Sequence, residues 1–126
     1  MKYLVTGGAG FIGSHWIERL LADGHRVICV AALSTGYREY LSARNSLRFI
    51  NTKIQELDIK DLNNKINGIF HLAAQASVPV SIDKFFHSSA NNLLGMLKVW
   101  DFAQKKKLPI VFVSSSAVYG NLPLGD

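Results

Sequence analysis

The chain has 126 residues, 48% of them hydrophobic and 18% charged, and carries a formal net charge of +5. That length allows one domain with a real core, and the composition is far from that of a disordered segment. No apolar run approaches the roughly 18 residues of a membrane span, and MKYLVTGG turns to glycine too soon to read as a signal peptide.

Apolar runs at 3–6, 26–31, 47–50, 68–72 and 110–114 read as five strands. They are continuous rather than alternating, as in a parallel sheet covered on both faces. After the first run, residues 11–23 carry Ile12, Trp16, Ile17, Leu20 and Leu21 at helical spacing, and Gly24 supplies a stop. Cys29, the single cysteine, lies between Ile28 and Val30 and reads as a small buried hydrophobe in a chain without an internal disulfide. Residues 84–107 form the longest helical candidate, with one apolar row at Leu93, Leu97 and Trp100 and another at Met96, Val99 and Ala103. Two rows imply two covered faces, one on the sheet and one on another partner. Strand, helix, strand at this rhythm gives an α/β class with an open, doubly wound parallel sheet.

The remaining polar features are bland. The basic residues are spread out, except for Lys105, Lys106 and Lys107 at the end of that helix, where they complement its dipole. No nucleic-acid partner is expected. His15, His25, His71 and His87 have no ligand-like spacing and no cysteine partners, so no metal is expected. His71, closing a strand, reads as a packing or hydrogen-bonding residue, and His25 as solvated.

The sharpest motif is TGGAGFIGSH at 6–15, directly after the first strand. It holds Gly7, Gly10 and Gly13 at regular spacing and also Gly8-x-Gly10-x-x-Gly13. Such glycines allow a tight strand-to-helix turn, admit a pyrophosphate to the backbone, and let helix and strand pack closely. The first helix amides, around Phe11 and Ile12, then face the phosphate. A dinucleotide fold places an acid near the end of its second strand, but this chain has Ala31 and Ala32 there.

TGGAGFIGSH, LSTG (33–36), HLAAQASVP (71–79) and VSSSAVYG (113–120) together resemble the NAD-dependent epimerase/dehydratase family, the extended short-chain dehydrogenase/reductases that act on nucleotide sugars. The resemblance covers the whole chain and implies a Rossmann-type sheet of order 3-2-1-4-5. It identifies residues 1–126 as the N-terminal part of a cofactor domain, without the substrate domain.

The resemblance implies roles by position. Gly7, Gly10, Phe11, Ile12 and Gly13 would hold the pyrophosphate of NAD; Leu33, Ser34, Thr35 and Gly36 would surround the adenosine ribose. Asp58 and Ile59 would contact adenine, and Leu72, Ala73, Ala74, Gln75 and Asn92 would line the cofactor, as would Ser114. Ser115, which by itself reads as a turn or cap residue, would be the active-site serine that hydrogen-bonds the reacting sugar oxygen. NAD is the implied cofactor, weakened because Ala31 replaces the ribose-binding aspartate, with NADP less favoured. Arg38 is the only nearby arginine that could take the vacated place.

The family's base is a tyrosine with a lysine four residues on. Tyr3, Tyr37, Tyr40 and Tyr119 are followed at that spacing by Gly7, Leu41, Arg44 and Pro123, so none qualifies. The implied function is therefore the cofactor portion of a cytoplasmic UDP-hexose 4-epimerase, an isomerase of nucleotide-sugar metabolism, inactive by itself. Ser116 and Ala117 stand where the family's dehydratases carry Asp-Glu and its decarboxylases a Glu. Other family activities, or a non-catalytic interaction module, are the alternatives. The 84–107 helix is the expected homodimer surface.

Overall fold

In the run KYLVT neighbouring side chains point to opposite faces of a strand, and here both faces are covered. Leu4 joins Ile28, Ile69 and Val99 in one core cluster, whereas Val5 joins Ile17, Val27 and Cys29 in another. This is why the strands read as unbroken apolar runs. The structure, a computed structural model, describes residues 1–33, 36–58, 62 and 65–121.

Five parallel strands, β1 (Lys2–Thr6), β2 (Arg26–Ala31), β3 (Leu47–Asn51), β4 (Gly68–His71) and β5 (Ile110–Phe112), form one sheet. Their order is the expected β3-β2-β1-β4-β5. Helix α1 (Phe11–Ala22) lays Ile17, Leu20 and Leu21 on one face. It ends at Gly24, whose φ of 78° is left-handed, with the Gly24 and His25 amides donating to the Leu21 and Leu20 carbonyls at 3.1 and 2.9 Å. Ile12 and Trp16, expected in the apolar stripe, are exposed, although Trp16 meets the edge of Phe70 at 5.1 Å.

The expected helix over 84–107 runs unbroken from Phe85 to Lys106, with a π-helical turn inside it. Helix α2 (Val78–Asp83) and helix α3 (Phe85–Ser89) meet at Lys84, and a π-helical turn (Ala90–Leu94) leads into α4 (Gly95–Lys106). The wide turn coincides with two amide clamps: Gln55 Nε2 donates to Asn91 Oδ1 at 2.8 Å, and Asn92 binds the Gln75 backbone. Helix α4 buries Val99, Phe102 and Ala103 against the other sheet face. The expected second row is open, with Leu93, Leu97 and Trp100 at 52, 49 and 42% exposure. Lys105, Lys106 and Lys107 are solvated at the helix end, where Lys105 pairs with Asp101 at 2.7 Å.

Strands four and five stop one and two residues short of the expected ends, at His71 and Phe112. The last rung of the β1–β4 ladder is made past His71, where the Leu72 amide donates to the Thr6 carbonyl at 3.1 Å. β5 has a single neighbour, β4, and its Val111 and Phe112 are half exposed. Cys29 is buried as expected, and burial pushes its thiol up to about 12. His25 departs from expectation: it is half-buried beside the Met1 amino group, edge-on to Tyr3 at 5.3 Å. Among the described residues no helix is long and apolar enough to cross a membrane.

Candidate cofactor site

β1 lies between β2 and β4, so the connections from its two sides diverge at its carboxyl end. Open α/β sheets bind ligands at such a switch point. The glycine-rich turn leaves β1 there, and the loop after β4 leaves beside it.

Gly7 has φ 71°, and a Cβ at this position would sit 2.7 Å from the Ala73 backbone nitrogen and Cα. Only glycine lets the two loops touch. At Gly13 a Cβ would overlap the Gly7 carbonyl and lie 2.6 Å from Gly8 Cα, so the first turn of α1 rests directly on the loop. Gly8 belongs to packing: its Cβ would lie 2.6 Å from Cys29 Sγ. Gly10 differs from all three, because an added Cβ would meet only the Gly7 carbonyl oxygen, at 3.3 Å. That approach is tight but does not overlap, and beyond it the space is open among the described residues.

That space adjoins the start of α1. Gly10 is the N-cap and supplies no side-chain cap, and the first turn holds no acidic residue. The first amides of a helix lack intrahelical acceptors and carry the positive end of its dipole. Phe11 and Ile12 are 76 and 63% exposed, so this end is open among the described residues. The cradle fits a pyrophosphate: space past Gly10, donors behind it, and no acidic residue in the first turn of α1.

The loop after β2 folds over the same turn. The Tyr37 amide donates to the Ala9 carbonyl at 3.1 Å, and a Cβ at Gly36 would lie 2.7 Å from the Ala9 carbonyl carbon. Leu33 holds a left-handed φ of 53°, a conformation that costs a non-glycine residue roughly 1 kcal/mol. It is kept there by packing against the cluster around Val5 and Cys29. Ala31 ends β2 opposite Asn51. The Arg38 guanidinium lies over the Phe49 ring, 4.6 Å from its centre. Ser34, Thr35 and Ile59 lie outside the described residues. Asp58 is exposed, two residues past the 3-10 turn Ile54–Glu56.

The loop 72–75 is fixed from both sides. The Ala73 amide points at the Thr6 hydroxyl, 3.4 Å away. The Gln75 amide donates to Asn92 Oδ1 at 2.7 Å, while Asn92 Nδ2 donates back to the Gln75 carbonyl at 3.0 Å. Gln75 Nε2 donates to the Ser77 carbonyl at 3.2 Å, and its Oε1 accepts from Ser88 at 3.3 Å. Both ends of the Asn92 amide are thus spent on the loop backbone. Here it acts as a positioning residue.

Ser114 and Ser115 are exposed just past β5. Ser115 Oγ accepts from the Ala117 amide at 3.1 Å and caps the 3-10 turn Ser116–Tyr119, the cap role that its residue type alone suggests. Its hydroxyl proton remains available to another acceptor.

His71 has the expected hydrogen-bonding role, and the partner that no motif indicated is Thr6, 2.8 Å away, both side chains being buried. Burial holds His71 below the usual histidine range. The only signal in the sequence is that a polar residue closes each of two apolar strands.

The family model described as "NAD dependent epimerase/dehydratase family" matches residues 3–125. A UDP-glucose 4-epimerase of Mycolicibacterium smegmatis is 42% identical, the alignment covering 98% of this chain and 42% of that protein. A solved UDP-N-acetylglucosamine 4-epimerase from Methanobrevibacter ruminantium, in complex with UDP-N-acetylmuramic acid, superposes with TM-score 0.91 at 35% identity, covering 98% of this chain and 41% of that one. A Thermus thermophilus UDP-glucose 4-epimerase in complex with NAD gives TM-score 0.86 at 36% identity, over 100% and 42% of the two chains. The chain thus spans about 42% of the length of the curated relative it matches. With the sheet order, the glycine turn and the family match in agreement, this chain belongs to the NAD-dependent epimerase/dehydratase family.

Proposed function

We propose that residues 1–126 form the NAD-binding portion of a nucleotide-sugar 4-epimerase of the UDP-hexose type, without turnover by themselves. The observation that carries this reading is the open cradle at Gly10, between the bare start of α1 and the loop 72–75. NAD, when bound, supplies the hydride acceptor for transient oxidation at the sugar C4.

The chain's own residues bind and orient. Gly7, Gly10 and Gly13 with the Phe11 and Ile12 amides receive the pyrophosphate; Leu33 and Gly36, with Ser34 and Thr35, border the ribose. Asp58, with Ile59, serves adenine. Leu72, Ala73, Ala74 and Gln75, held by Asn92, form the wall beside the cofactor, which Ser114 also borders. Ser115 donates its free hydroxyl proton to the reacting sugar oxygen. No tyrosine here has a lysine four residues on, so no side chain of these 126 residues takes the sugar proton by the family's route.

Ala31 lowers NAD affinity, since the ribose hydroxyls find no carboxylate at the end of β2. The open row Leu93, Leu97 and Trp100 supports a homodimer through this helical face. The buried, unpaired Cys29 fits a cytoplasmic setting. An NAD titration by calorimetry, with a UDP-sugar turnover assay, tests the reading. NAD binding without turnover is expected. Turnover by these 126 residues alone would overturn the inactive part, whereas a folded chain that ignores NAD and captures a protein partner would favour a non-catalytic module.

A further inference from the structure

We propose that Asn91 and Gln55 are positioning residues for the dinucleotide. Through them the π-helical turn Ala90–Leu94 holds the segment that leads from β3 to Asp58, while its next residue, Asn92, holds the loop 72–75. The inference rests on the cofactor reading above, in which that segment borders the adenosine half, and concerns what sets the segment in place.

The segment leaves β3 at the carboxyl edge of the sheet, where Asn51 stands opposite Ala31. Open α/β sheets bind ligands at that edge. Ile54 and Leu57, both buried, anchor the 3-10 turn Ile54–Glu56 in the cluster that holds Val99 and Phe102. Asp58 follows Leu57 directly and is exposed.

Between the two apolar anchors, Gln55 provides a polar fastening to the helix. Its Nε2 donates to Asn91 Oδ1 at 2.8 Å and to the Ala90 carbonyl at 3.3 Å. Its backbone carbonyl accepts from Lys98 Nζ, further along the helix, at 2.8 Å. Asn91 is engaged at both ends of its amide, since Nδ2 donates to His87 Nε2 at 3.1 Å when that ring carries its proton on Nδ1. Gln55 and Asn91 are both half-buried, so truncating one leaves the other partly shielded from water without this partner.

Wide turns within helices recur at functional sites. Here consecutive asparagines serve different segments. Asn91 reaches the turn after β3, and Asn92 exchanges bonds of 2.7 and 3.0 Å with the Gln75 backbone. In the strand order β1 lies between β3 and β4, so the glycine cradle lies between the two segments that this one turn fastens. Walls already fixed before a ligand arrives cost it less affinity for their ordering. Neither Asn91 nor Gln55 needs to touch the ligand for this.

The test is calorimetric titration with NAD and with ADP, which shares its adenosine and pyrophosphate. The proteins are the unaltered chain, Asn91→Ala, Asn91→Asp, Gln55→Ala and the double alanine variant, each first shown to be folded by circular dichroism. Asn91→Ala and Gln55→Ala should each weaken both ligands by the same factor, about three- to ten-fold, the equivalent of one hydrogen bond. Asn91→Asp keeps an oxygen acceptor for Gln55 Nε2 and should bind within about two-fold of the unaltered chain. The double variant should bind no more weakly than the weaker single, because both changes remove one interaction. A merely structural role would lower the melting temperature of the alanine variants and leave the affinity of the folded chains unchanged. Unchanged affinity in both folded alanine variants, losses that multiply in the double variant, or Asn91→Asp as weak as Asn91→Ala would overturn the inference and leave the cofactor site intact. So would loss of NAD alone with ADP unaffected, because the effect would then lie away from the adenosine half. Binding of neither ligand to the demonstrably folded, unaltered chain would overturn the cofactor reading, and the inference with it.

Discussion

The Thr6 hydroxyl and His71 Nδ1 lie 2.8 Å apart in the core, where they join the last residues of β1 and β4. The same hydroxyl faces the Ala73 amide, and the His71 ring stacks on Phe112. One buried polar contact thereby ties the two strands that flank the cofactor cradle. In one neutral tautomer Nδ1 accepts the hydroxyl proton. Protonating the ring turns Nδ1 into a donor and leaves that hydroxyl proton facing the core without this acceptor.

Thr6→Val should therefore destabilise the fold by about 1–3 kcal/mol, because the ring nitrogen loses its partner inside the core. Urea denaturation near neutral pH measures this. A loss under a few tenths of a kcal/mol would show that the contact contributes nothing net.

The same histidine makes stability depend on pH. Burial lowers the His71 pKa in the folded chain, so the unfolded chain takes up a proton first as pH falls. The stabilisation is present above the unfolded value of about 6.5 and is lost as pH falls from there through the folded value. His71→Phe removes this dependence while costing the Thr6 partner. The stability gap between the original chain and His71→Phe should narrow on acidification. A gap constant across that range would show that the ring does not titrate differently on folding.

Glycine substitutions should separate packing from binding. Gly13→Ala forces a Cβ into the Gly7 carbonyl and should cost about 1–3 kcal/mol, as overpacking does. Gly10→Ala meets one carbonyl oxygen at 3.3 Å, a tight contact without overlap, and should lower the melting temperature much less than Gly13→Ala, yet bind dinucleotide poorly. Thermal melts paired with calorimetry decide it. Equal melting losses in both variants would remove the case for Gly10 as cradle.

Ala31→Asp should strengthen NAD about ten- to a hundred-fold, the equivalent of a charged hydrogen bond of about 1.5–3 kcal/mol. No gain in affinity would mean that the end of β2 does not reach the ribose.

Cys29 should be inert. Its thiol is buried and raised to about 12, so little thiolate exists at neutral pH. A thiol-reactive dye should label the native chain far more slowly than the urea-unfolded chain. Comparable rates would indicate that the β2 core opens readily.

The strand count, the helix at 11–22 and the glycine turn were legible in the residues, because they follow from short-range rules. Unbroken apolar runs need two covered faces, glycine spacing sets a tight turn, and Gly24 ends a helix wherever it falls. The same local reading foresaw the buried Cys29 and one sheet-covered face on the 84–107 helix, but the structure alone assigns that face to Val99 and Ala103.

What stayed hidden depends on residues far apart in the chain. Thr6 and His71 are 65 residues apart, and only the β1–β4 register brings them together. The π-helical turn within the 84–107 helix accompanies contacts from Gln55 and Gln75, which no helical periodicity can contain. The distinction between Gly8 and Gly10 is likewise tertiary: one lies against Cys29 and the other meets only the Gly7 carbonyl oxygen. Arg38 in the sequence is one basic residue among several; the fold sets its guanidinium over the Phe49 ring of β3. Local chemistry determined which elements form, and the packing of the sheet decided which side chains meet at its carboxyl edge.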